Sequence, residues 1–182
     1  EFALVPQKIQ QGLKHPDERL LTRVANWLAS SPLHWSMCYH HQDYPESLRS
    51  LKQPPLCLFG MGDKACLSRA LTLAVVGSRK ASVQGILATE LIVQDLTAAG
   101  FVIVSGLALG IDGAAHRSAI KSQGVSIAVL GAACESIYPR EHQMLAKQII
   151  EHQGAVISEY PVGTLPLPHH FPQRNLIVSA LS

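Results

Sequence analysis

The stretches AVVGSRKAS (residues 74–82) and VIVSGLALGID (residues 102–112) decide the fold. Each begins as a short apolar, β-branched run, breaks at a small residue and resumes with helical spacing. A strand that turns directly into a helix leaves the helix's first N–H groups free, and these together with the dipole favour an anion, phosphate above all. Arg79, inside the first turn, adds a planar fork of donors suited to phosphate oxygens. The ligand class that follows is phosphate-bearing: a nucleotide or the backbone of a nucleic acid.

Outward from these stretches the rhythm repeats. Strand 71–76 leads to helix 83–98, strand 101–104 to helix 111–122, and strand 125–130 through loop 131–140 to helix 141–152. Strand 155–158 then leads through a proline-rich loop to an apolar helix in HHFPQRNLIVSALS (169–182). Gly100, Gly124 and Gly154 each stand where a helix hands over to a strand, the usual place for a C′ glycine. Apolar strands alternating with helices imply an α/β fold, a parallel sheet with helices on both faces. Ligands of such sheets bind beyond the carboxyl ends of the strands, where both glycine turns and loop 131–140 fall. Upstream, residues 17–29 (DERLLTRVANWLA) have helical spacing and residues 3–13 are expected to form a shorter helix. Residues 31–70 read as a connector punctuated by Pro32, Pro45, Pro54 and Pro55, with one short strand at 56–59 closed by Gly60 and Gly62.

The bulk composition excludes several classes. Of 182 residues 47% are apolar and only 15% charged, enough core and too little charge for a disordered chain. The formal net charge of +2 does not by itself mark a nucleic-acid binder, so any basic surface must come from local placement. No apolar run approaches the length of a membrane span and no secretory leader is evident, which gives the expectation of a cytoplasmic protein. Cys38, Cys57, Cys66 and Cys134 lack metal-ligand spacing, and the adjacent pairs His40-His41 and His169-His170 cannot share a face. No metal and no cofactor are therefore expected. The chain opens at Glu1-Phe2 without Met and stops at Ser182 within an apolar segment, and reads as a fragment.

Within the first turn Gly77 allows close approach to a ligand, Ser78 and Ser82 can cap helix 83–98 or donate to phosphate, and Arg79 can grip it. The pattern is neither G-x-G-x-x-G nor a Walker loop, which weakens ordinary NAD or ATP binding. In the second turn Ser105 and Gly106 end the strand and Gly110 opens room before the helix. Asp112 and His116 share a helical face, and either form an acid–base pair or, as the better reading, support the loop and fold. Tyr138, Pro139 and Arg140 follow the third strand, where a rigid connector is the plainer reading. Phe171, Arg174 and Asn175 combine an aromatic platform with phosphate-binding groups, although Phe171 suits packing equally well.

Taken together, DYPESLRSLKQPPLCLFGMGD, LAVVGSRKAS, VIVSGLALGIDGAAH, SIAVLGAACESIYPREH, AVISEYPVG and FPQRNLIVSALS resemble the DNA-processing protein A family (DprA, also called Smf), in the family's order over residues 43–182. GSR-x-x-S followed by SG-x-A-x-GID-x-x-AH is a specific combination. The resemblance implies an extended Rossmann-like domain at 43–182 that is C-terminally incomplete, preceded at 1–42 by a partial helical region and connector. It implies a single-stranded DNA-binding recombination mediator, without enzymatic turnover, that protects incoming DNA in natural transformation. Its implied partners are single-stranded DNA, the RecA recombinase and, for the full-length family, a second copy; no membrane is involved. By motif position the DNA contacts are Gly77, Ser78, Arg79, Ser82, Ser105, Gly106, Gly110, Arg174 and Asn175, with Phe171 for base stacking and Asp112 and His116 as loop support. The chain departs from the family at Leu176, where RNR is usual, and at Ala180, where glycine is common. The end of the family's Rossmann domain and the winged-helix tail of some members are expected beyond Ser182.

Two other readings compete. One is an enzyme on a small nucleotide, such as a nucleoside-monophosphate hydrolase; its expected P-G-G-x-G-T loop is missing, and Glu159 is the nearest candidate acid. The other is a folded fragment without activity.

Overall fold

Alternate residues of each strand face opposite ways, and in the central parallel strands both sets are buried. The computed structural model describes residues 16–182, so the helix expected at 3–13 lies outside the described residues. The elements run α1 (Glu18–Ala29), β1 (His34–Cys38), α2 (Glu46–Arg49), β2 (Cys57–Gly62), a 3-10 turn (Lys64–Ser68) and β3 (Thr72–Ala74). Then come α3 (Val83–Ala98), β4 (Val102–Ser105), α4 (Ile111–Lys121), β5 (Ser126–Val129) and, after a 3-10 turn (Arg140–His142), α5 (Gln143–Glu151), β6 (Ala155–Ser158) and α6 (His170–Ala180).

The six strands form one sheet in the order β1-β2-β6-β5-β4-β3. From β3 to β6 it is parallel, as the βα rhythm requires, with Val104 beside Ile127 and Ala128 beside Val156. Two antiparallel strands extend it past β6, β2 pairing Gly60 with Ile157 and β1 pairing Trp35 with Gly60. The sequence places β1 inside a connector and ends β2 at Phe59, with Gly60 closing it. Gly60 instead continues the strand because the Trp35 indole lies over it, where any Cβ would collide, and Trp35 Nε1 donates to the Gly62 carbonyl at 3.0 Å.

One face carries Val102, Val104, Ile127, Val129 and Ile157, sealed by Ile177, Val178 and Leu181 at the end of the chain. The other face carries Ile103 against Val93, Ala115 and Ala119, and Ala128 and Val156 against Leu145 and Ile149. Thus α3, α4 and α5 cover one side while α6 crosses to the opposite side. Trp27 of α1 packs with Phe59, Cys134 and Val162, and Asp17 caps α1 by accepting from the N–H groups of Arg19 and Leu20. No described helix is long and apolar enough to cross a membrane.

Candidate functional site

The turn after β3 is built by short-range bonds. Ser78 Oγ accepts from the Lys80 N–H at 3.1 Å, and Ser82, at the N-cap of α3, accepts from the Gly85 N–H at 3.1 Å. The Ser82 hydroxyl is therefore committed to capping, and the first two N–H groups of α3 have no intrahelical acceptor. Gly77, Ser78 and Arg79 are exposed.

The second turn locks onto the first. The Ile111 N–H donates to the Ser78 carbonyl at 3.2 Å. Gly110 has φ +77°, and a Cβ there would run into the Ser78 carbonyl oxygen and the Arg79 backbone. A Cβ at Gly77 would lie 2.7 Å from the Ile111 side chain. These two glycines set how closely the loops approach.

Beneath the loops lies a buried charge. Arg174 is 4% exposed and its guanidinium donates to the carbonyls of Gly106 and Val129, while its Nε donates to Asn175 Oδ1 at 3.1 Å. Burial pushes the Arg174 guanidinium below its ordinary pKa; the Asp112 carboxylate counters this and Arg79 adds to it. Asp112 Oδ2 accepts from the N–H groups of Gly106 at 3.1 Å and Ala108 at 3.4 Å. Arg174 is thus held inside the wall of the site by backbone carbonyls. That is a different environment from the open groove in which the motif reading set it.

Ser105 is sealed from solvent, and its hydroxyl donates to the Val75 carbonyl at 2.6 Å. It ties β4 to the exit of β3 and has no surface on which to meet a ligand. His116 is fully buried, with Nδ1 2.7 Å from Ser126 Oγ. Ser126 donates its own proton to the Ile103 carbonyl, so Nδ1 carries the imidazole hydrogen and Nε2 is a bare acceptor without a partner among the described residues. Burial, with His142, Arg174 and Arg117 nearby, lowers the His116 pKa to about 3. Asp112 and His116 therefore do not meet in solvent as an acid–base pair.

At the surface the remaining groups converge. A cavity of about 300 Å³ is lined by Gly77, Arg79, Asp112, Arg174 and Asn175, together with Ser179 and Ser182, which the sequence reading had not singled out. A smaller one of about 60 Å³ adjoins it through Arg79 and Arg174 and adds Gly106, Tyr138 and Phe171. The Arg79 guanidinium lies over the Phe171 ring, 5.3 Å from its centroid, and Tyr138 stands 5.9 Å from Phe171 on a tilted plane. A guanidinium resting on a ring still presents its in-plane N–H donors to an anion. His170, also missed, is buried, stacks on Tyr160 at 4.0 Å and bonds the Gly131 carbonyl at 3.1 Å. It anchors the start of α6, and neither spacing nor composition marks it.

The family model for DNA recombination-mediator protein A matches residues 35–182. The chain is 39% identical over its whole length to the protein Smf of Escherichia coli, covering 48% of that protein. It is 40% identical over 141 residues to DNA processing protein DprA of Bacillus subtilis, covering 47% of it. It thus spans about half the length of these relatives. The crystal structure of DNA processing protein A from Streptococcus pneumoniae superposes with a TM-score of 0.80 at 34% identity, over 95% of this chain and 58% of that one. A solved structure of DNA processing protein A from Helicobacter pylori, described for its single-stranded DNA binding mode, superposes with a TM-score of 0.73 at 30% identity, over 82% of this chain and 66% of that one. By its sequence over residues 35–182 and by its sheet, this chain belongs to the DNA recombination-mediator protein A family.

Proposed function

We propose that this domain binds single-stranded DNA along the carboxyl edge of its sheet and serves as a recombination mediator in natural transformation. The observation that carries the reading is Arg79, which lies over Phe171 of the smaller cavity and lines the adjoining larger one with Gly77, Asp112 and Asn175. One group meets phosphate and the neighbouring ring offers a base a flat apolar face, the two requirements of a sequence-tolerant single-strand site. Gly77, Ser78, Arg79 and the start of α3 behind Ser82 supply the phosphate contacts, and Asn175 borders them. Gly106, Gly110, Ser105, Arg174 and Asp112 hold the loops in place from below.

We read the role as binding: His116 is locked in the core and Asp112 Oδ2 accepts from two backbone N–H groups, an arrangement that supports the loop. RecA as the recombinase that receives the strand, and a second copy of the whole protein, are the partners proposed from family membership, with a cytoplasmic location in keeping.

The test sets single-stranded DNA, duplex DNA and a nucleoside monophosphate side by side across a salt series. Single strands should bind best, with affinity falling linearly on a logarithmic salt scale. Binding and hydrolysis of the mononucleotide without strand binding would favour the nucleotide-enzyme reading instead, and binding of none would leave a folded fragment without activity.

A further inference from the structure

Two cysteines face each other at the sheet edge formed by β1, the end opposite β3. In the antiparallel pairing of β1 with β2, Cys38 stands directly across from Cys57. One residue further on, the Tyr39 N–H donates to the Leu56 carbonyl at 3.0 Å, and at the far end of the ladder the Gly62 N–H donates to the Leu33 carbonyl at 2.9 Å. Hydrogen-bonded and non-hydrogen-bonded pairs alternate along such a ladder, so both bonds put Cys38 and Cys57 in a non-hydrogen-bonded pair. Partners of that kind lie about 4.5 Å apart at Cα with their side chains on one face, inside the span of about 4.4–6.8 Å that a disulfide bridges. The segment between them is pinned. The Tyr44 hydroxyl donates to the Pro55 carbonyl at 2.7 Å, and the Arg49 guanidinium donates to the carbonyls of Tyr39 at 3.2 Å and His41 at 2.7 Å. Both thiols are free, Cys38 exposed and Cys57 half-buried. The Cys57 thiol makes a long bond to the Leu58 carbonyl at 3.7 Å, so turning it toward Cys38 gives up little.

We propose that Cys38 and Cys57 are a modification site, at which hydrogen peroxide closes a reversible disulfide that staples the edge strand β1 to β2. The Cys38 thiolate attacks one peroxide oxygen, the O–O bond breaks and hydroxide leaves, giving a sulfenic acid. The Cys57 thiolate then attacks that sulfur, the S–OH bond breaks and a second hydroxide leaves as the S–S bond forms. Each hydroxide takes up one thiol proton, so the products are the disulfide and two waters. The two sulfurs lose two electrons and the peroxide gains them. Exposure makes Cys38 the sulfur that a peroxide reaches first. Burial pushes the Cys57 thiol up, a Met37 backbone bond counters this and the neighbouring Cys38 reinforces it, which suits Cys57 to the second step. Cys66 and Cys134 are sealed in the core, and burial pushes both thiols up, Cys66 to about 12, which leaves them protonated and out of reach. A disulfide at an exposed position is reopened by small thiols. The pair lies across the sheet from the Arg79 turn and is independent of what that turn binds.

The experiment treats the reduced protein with hydrogen peroxide, unfolds it, alkylates the remaining thiols with iodoacetamide and maps the digest by mass spectrometry. The peptides of Cys38 and Cys57 should be found joined and lighter by two hydrogens, with Cys66 and Cys134 alkylated. Dithiothreitol should restore both free thiols. Closing the 39–56 loop restricts the unfolded chain, so the oxidised wild type should melt about 5 °C higher than the reduced one. Cys38→Ser and Cys57→Ser should each show no such rise after the same treatment. The mapping is made on the wild type and so does not depend on the folding of either variant. Oxidation that stops at a sulfinic or sulfonic acid on Cys38, a link between two molecules, or a link that leaves the melting temperature unchanged or lower overturns the staple.

Discussion

Arg174 donates its guanidinium to the carbonyl of Gly106, and a Cβ on Gly106 would lie 2.5 Å from the guanidinium carbon. The arginine and the glycine are one unit: the missing side chain makes the space in which a buried cation reaches two backbone carbonyls. Removing the cation orphans those carbonyls and leaves Asp112 with its charge less compensated. Arg174→Ala should therefore cost about 3–5 kcal/mol of folding stability. Arg174→Lys should recover part of it, because one guanidinium nitrogen serves both carbonyls and an ammonium can do the same, while the Nε bond to Asn175 is lost. Urea denaturation of the three proteins measures this, and a midpoint unchanged in Arg174→Ala would show that the residue serves the ligand and not the fold.

Gly110 predicts a different failure. Its φ of +77° and its contact with the Ser78 carbonyl make any side chain there both strained and obstructed. Gly110→Ala should destabilise the domain by about 2 kcal/mol or more and displace the loop that carries Arg79. Loss of oligonucleotide affinity should therefore exceed that of a surface change of similar stability cost, as read by binding at a temperature where both variants are folded.

Acid sensitivity should trace to His116. In the folded chain it stays neutral down to about pH 3, while in the unfolded chain it takes up a proton near its ordinary 6.5. Between these values the unfolded state binds more protons. Stability contributed by the neutral, buried imidazole is fully present above pH 6.5 and is lost as the pH falls toward 3, by up to about 1.4 kcal/mol per pH unit. In His116→Gln the midpoint of urea unfolding should fall less between pH 6.5 and 4.5 than in the wild type. Parallel pH profiles would remove His116 as the cause.

The sequence disclosed most of the parallel half of the sheet, and the reason is physical. Helix α3 begins and ends where Ser82 and Gly100 place it, and β6 occupies 155–158 as expected, because buried parallel strands must be apolar on both faces and their helices need caps. Strand β1 was hidden because HWSMC shows no run of apolar residues and sits among prolines; only pairing with β2 makes it a strand. The loops of the site were legible from their glycines and Arg79. The burial of Arg174 was not, since an arginine between polar residues at a helix start reads as exposed until the fold sets the carbonyls of Gly106 and Val129 around it.

Arg79 is the residue proposed to meet the phosphates of a single strand. The most direct measurement is binding of oligo-dT to the wild type, Arg79→Ala and Arg79→Lys across a salt series. Loss of one phosphate contact should weaken Arg79→Ala binding uniformly and lower the slope of log affinity against log salt by about 1, with Lys rescuing only part of it. Folding stability should stay within about 0.5 kcal/mol of the wild type, as expected of an exposed loop cation. An Ala variant that binds as tightly as the wild type at every salt concentration, with the same slope, would contradict the account and move the strand to another face of the domain.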